Sequence, residues 1–345
     1  MIKSRRESLA LMAKGSVFLS AGTIMPAFLS SCQGAATKEG QSEEATIPLF
    51  FSISLAQWSL HRSFFGDIRK LGWAEFGRLL KENPDALLSG ELNPVDFPRI
   101  ARADFGLSAI EYVNTFYFSK GEDTAFWNDM KSKCDGEGIA SKLIMCDAEG
   151  NLGDTNTESR NTSVRNHYKW VDAANILGCH SIRVNAAGSG SADEVRDAAV
   201  DGLGQLTEYG AKNGINIIVE NHGGYSSDGK WLADVISQVN SPYCGTLPDF
   251  GNFCLEKSGD DCLTSYDKYQ GVSELLPFAK GVSAKTYDFD KRGNETTIDY
   301  VQMLKLVKAS GFTGTIGIEY EGDRLNEKDG INATIALLKK AGAEV

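Results

Sequence analysis

Three carboxylates in the C-terminal half of the 345-residue chain each close a short apolar run. Glu220 ends Ile217-Ile218-Val219-Glu220, Asp249 ends Thr246-Leu247-Pro248-Asp249, and Glu319 ends Gly317-Ile318-Glu319. One acid at a strand end simply meets water. Three that converge repel one another and raise each other's pKa. Two devices relieve that strain. An oxygen-loving divalent cation can draw the oxygens together, or basic side chains can neutralise them, and Arg183 and Lys285 close neighbouring runs. A carboxylate so placed can act as a general base, and a cation beside it can hold an oxygen on which negative charge develops.

Other polar residues gather at the same run ends. His222 lies two residues beyond Glu220 and shares its side if the strand geometry persists. It is a candidate acid/base or hydroxyl-binding group, the structural alternative being a histidine hydrogen-bonded in the rim. Lys285 lies two beyond Ser283 and either stabilises negative charge developing on a bound oxygen or serves only as a countercharge. Gln57, Trp58 and His61 follow the first run, where an aromatic face suits a sugar ring; core packing accounts for Trp58 equally well. Glu111 and Asn114 end the second run, Arg183 and Asn185 the fourth. Arg183, Glu111, Trp58, His61 and Asn252 form the expected substrate-binding set. His167 and His180 read as structural.

Eight elements must position these residues. The strand candidates are Leu49–Trp58, Ala109–Val113, Lys142–Cys146, Ser181–Val184, Asn216–Val219, Gly245–Pro248, Gly281–Ala284 and Gly314–Ile318. Most are short and almost continuously apolar, as parallel strands buried on both faces must be. Helical period fills the gaps: Val164, Tyr168 and Val171; Val195, Ala199 and Leu203; Leu232, Val235, Ile236 and Val239; then Ile331, Ile335 and Leu338. Phrases such as Gly138-Ile139 and Leu177-Gly178 mark helix ends leading into the next strand. Eight strand–helix units over residues 47–345 predict an α/β fold, a (β/α)8 TIM barrel, whose chemistry sits at the C-terminal strand ends. A doubly wound sheet would want a Gly-rich phosphate loop after an early strand, and no G-x-G-x-x-G occurs there. Leu60–Leu92 exceeds the minimal unit and reads either as a rim over the site or as a surface excursion with its own small core.

Residues 1–31 read as an export signal. Ser4-Arg5-Arg6 precedes a run of apolar and small residues that ends in Leu29-Ser30-Ser31-Cys32. Gly15, Ser16, Ser20, Gly22 and Pro26 interrupt that run, leaving it short of the ~20 strongly apolar residues a membrane span needs. The paired arginines resemble a twin-arginine signal, and Leu-Ser-Ser-Cys resembles a bacterial lipobox, which implies lipidation at Cys32. Residues 32–46 then form a flexible tether. The expectation is an exported, periplasmic or cell-envelope lipoprotein that meets the membrane only through its N-terminal lipid. The six other cysteines contain no C-x-x-C pair; Cys254 and Cys262 are the closest in sequence, while Cys146 and Cys244 flank apolar runs that suit buried thiols.

The chain from Phe51 onward resembles the sugar phosphate isomerase/epimerase family of xylose-isomerase-like barrels. That family also includes ketose 3-epimerases, inosose dehydratases, hydroxypyruvate isomerases and endonuclease-IV-like enzymes. The resemblance rests on Val-Glu-Asn-His at 219–222, Pro-Asp-Phe-Gly-Asn at 248–252, Gly-Ile-Glu-Tyr-Glu at 317–321 and Ile110-Glu111. It implies a divalent metal held by Glu220, Asp249 and Glu319. The sequence departs from the family pattern twice: Ser283 and Asn252 stand where histidines are usual. An all-oxygen set of this kind favours Mg2+ or Mn2+ over Zn2+.

Charge narrows the partners. Lys and Arg number 35 against 46 Asp and Glu. Met1–Ser31 holds four of the bases and one of the acids, so the remainder carries 31 against 45, a net −14. Such a surface repels nucleic acid, and a phosphodiesterase would want more than four histidines. The expected partner is a small carbohydrate. Sugar phosphates are mostly cytoplasmic, so an exported member is expected to act on unphosphorylated keto sugars or keto-glycosides, by proton abstraction through an enediolate. The alternative is a non-catalytic carbohydrate-binding lipoprotein that has lost the histidine ligands.

Overall fold

The sheet strands are short and largely buried, with polar residues such as Ser54, Arg183, Ser283 and Lys285 buried among their apolar ones. In chain order they are β1 (Ser52–Ala56), β2 (Ala109–Val113), β3 (Ala140–Met145), β4 (Ser181–Val184), β5 (Asn216–Glu220), β6 (Cys244–Leu247), β9 (Val282–Thr286) and β10 (Thr315–Tyr320). An antiparallel pair, β7 (Cys254–Ser258) and β8 (Asp261–Ser265), is inserted after β6. The computed structural model describes residues 48–66, 70–259 and 261–345. The expected signal, the tether and Cys32 lie outside them. No helix among the described residues is long and apolar enough to cross a membrane.

The eight parallel strands run in the order β6-β5-β4-β3-β2-β1-β10-β9. The two ends of that sheet meet without a continuous ladder. Isolated bridges join Thr246 to Ala279 and Asp249 to Ser283, and Ser283 N–H donates to the Pro248 carbonyl at 2.9 Å. This seam closes the barrel. A ring of helices covers it, among them α3 (Phe97–Phe105), α4 (Thr124–Glu137), α5 (Thr157–Leu177), α6 (Ala192–Lys212), α7 (Gly229–Val239), α8 (Lys268–Leu275), α9 (Tyr300–Ala309) and α10 (Glu327–Ala343). Their inward stripes are those of the sequence pattern: Val195, Ala199 and Leu203 of α6, and Leu232, Val235 and Ile236 of α7, are all buried.

Local signals set the helix ends. Ser191 and Glu194 form a reciprocal capping box at the start of α6. Gly138 and Gly178 end α4 and α5 with φ of 65° and 74°, left-handed values that a side chain disfavours. Strand β1 is shorter than its apolar run suggests. After Ala56 the chain turns into a 3-10 segment, Gln57–Leu60. Buried polar side chains hold that turn. Gln57 Nε2 donates to Tyr117 Oη at 2.8 Å, and Ser59 Oγ donates to the Ile318 carbonyl at 3.0 Å.

Two segments exceed the minimal barrel. The excursion after β1 contains α1 (His61–Phe65) and α2 (Gly72–Glu82). It has its own aromatic core, with Phe65 stacked on Phe116 at 4.4 Å and packed edge-on against Phe76. The β7–β8 hairpin has mostly exposed residues and is cross-linked by a Cys254–Cys262 disulfide with a Cα separation of 5.8 Å. Cys134, Cys146, Cys179 and Cys244 are buried free thiols.

Candidate active site

The C-terminal strand ends surround a cavity of about 400 Å3. Glu220 is the last residue of β5, Asp249 lies two residues past β6, and Glu319 is in β10. All three are buried. Each offers an oxygen, and those oxygens lie within 4.8 Å of one another.

Short polar contacts fix each acid. Asp249 Oδ1 accepts from the backbone N–H groups of Gly251 and Asn252, at 2.7 and 2.8 Å. Asn252 Nδ2 donates to Glu220 Oε1 at 2.9 Å. Ser283 Oγ lies 2.6 Å from Asp249 Oδ2 and 3.0 Å from Glu319 Oε2. Lys285 Nζ lies 2.8 Å from Glu319, 3.2 Å from Glu321 and 3.9 Å from Asp249. Arg183 pairs with Asp147 at 2.7 Å, and its Nε lies 2.8 Å from Glu220 Oε2. That second approach is close but misaimed, so both Arg183 Nε and Glu220 Oε2 remain without a hydrogen bond.

The electrostatics follow from five acids facing two fixed cations. Burial pushes Glu220 up to about 7, against the pull of Arg183 and with Glu319 adding repulsion. Burial likewise pushes Asp249 up to about 7 despite Lys285. Lys285 itself loses solvation, yet Glu319, Glu321 and Asp249 hold its pKa well above the ordinary lysine value. It is therefore an ammonium and not a nucleophilic amine. Burial would raise Asp147 too, but Arg183 and His222 outweigh it and bring its pKa to about 2. His222 is exposed at the cavity, and the protein packed about it, with Arg183 nearby, lowers its pKa.

A hard divalent cation fits the acidic trio. Two oxygens facing each other across a shell of ~2.1 Å radius lie ~4.2 Å apart, close to the span observed here. Unsatisfied acceptors are also present. Glu220 Oε2 is orphaned, and the single Ser283 proton serves only one of its two carboxylates at a time. Glu220, Asp249 and Glu319 would hold the ion, with the Ser283 hydroxyl beside them. The donor set is all oxygen.

The structure sorts the residues expected from sequence. Trp58, Arg183, His222, Asn252, Lys285 and Glu319 line the cavity, with Glu220 and Asp249 directly beneath. His61 and Glu111 do not line it. His61 stacks beneath Trp58 at 4.8 Å, 14° from coplanar, with Nδ1 2.8 Å from the Trp58 carbonyl. It props the indole from behind. Glu111 points into the barrel interior, where Ser54 Oγ donates to it at 2.5 Å. Burial pushes its carboxyl up to about 7. Its space exists because Gly317 lacks a side chain: a Cβ there would sit 2.4 Å from Glu111 Oε2.

Sequence reasoning missed two acids in the cavity wall. Asp147 directly follows Cys146, at the end of the third run, the same signal that marks Glu220 and Asp249. Its neighbour Ala148 takes a left-handed φ of 62°, a strained value for a non-glycine residue. Glu321 lies two beyond Glu319, within the quoted motif, and receives the Trp58 indole N–H. The excursion supplies Trp73 and Phe76, and the hairpin supplies Lys257. The excursion was expected as a rim or a surface unit and supplies both a wall and a small core; no periodicity marked the hairpin.

Comparison with known proteins gives a consistent frame. A family model described as xylose isomerase-like TIM barrel matches residues 100–341. Among solved structures, the chain is similar to a 3-keto-D-glucoside 4-epimerase from E. coli, with a TM-score of 0.57 and 15% identity over 72% of this chain and 94% of that one. A xylose isomerase-like TIM-barrel protein from Mycobacterium smegmatis, in complex with magnesium, gives a TM-score of 0.57 and 15% identity, covering 86% and 98%. D-psicose 3-epimerase from Clostridium cellulolyticum H10, with D-tagatose, gives 0.54 and 12%, covering 74% and 91%. At such identities the likeness is one of fold. No curated protein sequence matches the chain significantly.

Proposed function

Because the chain belongs to the xylose isomerase-like TIM-barrel family, we propose that it is an isomerase- or epimerase-type enzyme acting on an unphosphorylated keto sugar or keto-glycoside. The observation that carries this reading is the meeting of Glu220, Asp249 and Glu319 around Ser283 at the base of a cavity. A bound Mg2+ or Mn2+ would supply a Lewis acid for the substrate's carbonyl and neighbouring hydroxyl oxygens.

The chain's own groups account for the rest. Glu319 faces the cavity and is the base that removes the proton beside the carbonyl, giving an enediolate. Lys285, held as an ammonium against Glu319 and Glu321, stabilises the negative charge that develops on oxygen. Arg183, Asn252 and the neutral His222 present donors and an acceptor to hydroxyl groups. Trp58 offers one wall for a ring, its indole fixed by His61 and Glu321. Reprotonation gives isomerisation or epimerisation, and loss of a β-substituent gives elimination. Glu319→Gln is expected to abolish exchange of the substrate C–H with solvent deuterium; exchange persisting at the wild-type rate would refute the assignment.

A second reading has an observation of its own. Ser283 and Asn252 occupy the positions where the family resemblance expects histidines, and Lys285 already sits 2.8 Å from Glu319. A barrel neutralised this way would bind sugar without turning it over. For location, we infer from the lipobox-like Leu29-Ser30-Ser31-Cys32 an exported protein with its lipid on Cys32. Cys32→Ala should move the protein from the membrane to the soluble fraction of an expressing cell, and an unchanged partition would argue against the anchor.

A further inference from the structure

The cavity has two chemically distinct halves. Its base is polar: Lys285, Glu319 and Glu321 on one side, Arg183, His222 and Asn252 on the other. That is a set of donors and acceptors for one ring of hydroxyls. Its mouth is built from the two inserted segments. Helix α2 contributes Trp73 and Phe76, and the β7–β8 hairpin contributes Lys257.

Trp73 is 69% exposed. Its contact with Phe76 is edge-on, with centroids 5.8 Å apart and planes at 80°. An indole left open at a cavity rim loses hydration on ligand binding and presents an apolar platform. Trp58 is different. His61 stacks on it and Glu321 holds its N–H, so it belongs to the wall of the inner half. The cavity's volume of about 400 Å3 lies within the range of sites that enclose ligands larger than one sugar ring.

We propose that Trp73, Phe76 and Lys257 form an outer subsite that takes the second sugar or other aglycone of a glycoside, so that the substrate is a keto-glycoside and not a free keto sugar. The C–H face of a pyranose stacks on the indole, and the Lys257 ammonium, which lines the same cavity, donates to its hydroxyls. A monosaccharide held by the base leaves this mouth unfilled. The proposal rests on the sugar-processing reading of the base, and its test separates the two.

The test is calorimetric titration of the full chain with D-glucose, cellobiose, maltose and trehalose. At least one disaccharide should bind about tenfold tighter than D-glucose, equivalent to ~1.4 kcal/mol. Trp73→Ala should erase that preference while leaving D-glucose affinity unchanged. Lys257→Ala should weaken only the disaccharide. Both residues are exposed, so neither substitution opens the core. Equal affinity for D-glucose and every disaccharide in the wild-type chain overturns the proposal, as does a Trp73→Ala variant that weakens all ligands alike. A protein with the predicted preference but no C–H exchange keeps the subsite and loses the reaction. One that exchanges free keto sugars without the preference loses the subsite and keeps the reaction.

Discussion

Glu111 is the residue whose surroundings least match its charge. It is almost fully buried, with Ser54 as its hydrogen-bond donor and Oε2 left without a partner. Burial raises its pKa to about 7 from 4.5, a difference of ~3 kcal/mol between its protonation states. The sign follows from linkage. The folded chain keeps this proton where the unfolded chain has released it, so stability is lost as pH rises from about 4.5 to about 7. Glu111→Gln removes the titration while keeping the shape and an acceptor for Ser54. Its melting temperature should therefore change less than the wild type's between pH 5 and pH 8, and exceed it at pH 8. Melting curves across that range check this; parallel profiles for the two proteins would show that Glu111 does not titrate there. The same residue shows where reading from sequence stopped. It was expected at the end of the second run, but it lies in the middle of β2, and its side chain occupies the barrel interior where Gly317 leaves room.

At the scale of elements, the barrel strands could be read because most are short, largely apolar runs separated by segments of helical period, even where buried polar residues such as Arg183 and Lys285 interrupt them. The hairpin could not. Cys254–Ser258 and Asp261–Ser265 are mostly exposed and polar, so they lack both the apolar run and the buried alternation that mark a strand. Their order depends instead on pairing with each other and on the Cys254–Cys262 cross-link. Closing so short a loop restricts the open chain by ~2–3 kcal/mol in the chain-entropy account. Because the hairpin adds little to the barrel core, that effect should be local. In a Cys254→Ser/Cys262→Ser double variant, trypsin should cut after Lys257 markedly faster while the barrel's melting temperature stays within about 2 °C. Peptide mapping of a brief digest, paired with a thermal scan, decides this. An equal cutting rate would show that pairing alone holds the hairpin. The excursion was legible as a rim or as a surface unit with its own core, and it is both; what its sequence did not show is that this core forms against Phe116, which lies beyond β2.

For the molecule as a whole, an ion held by the acidic trio would couple stability to binding. Without a cation, burial keeps Glu220 and Asp249, like Glu111, up at about 7. The metal-free barrel should therefore lose stability as pH rises from about 4 to about 7. A cation present at about a hundred times its Kd adds ~2.7 kcal/mol to the folded state, or ~5 °C for a domain of this size. The expected result is a chelator-reversible rise with Mg2+ or Mn2+ that is larger at pH 8 than at pH 5, with about one ion per chain by elemental analysis. A chain that stays metal-free, melts unchanged and still binds sugar is the non-catalytic reading instead. One feature of the architecture gives this coupling a mechanical meaning. Seven of the barrel's joints are continuous ladders, whereas β6 and β9 touch at isolated bridges, one of them between Asp249 and Ser283. The barrel is thus a hoop with a clasp, and the clasp is the site. A cation gripping Asp249 and Glu319 together would also fasten the hoop, so the one joint of the sheet without a regular ladder is the one its chemistry would close.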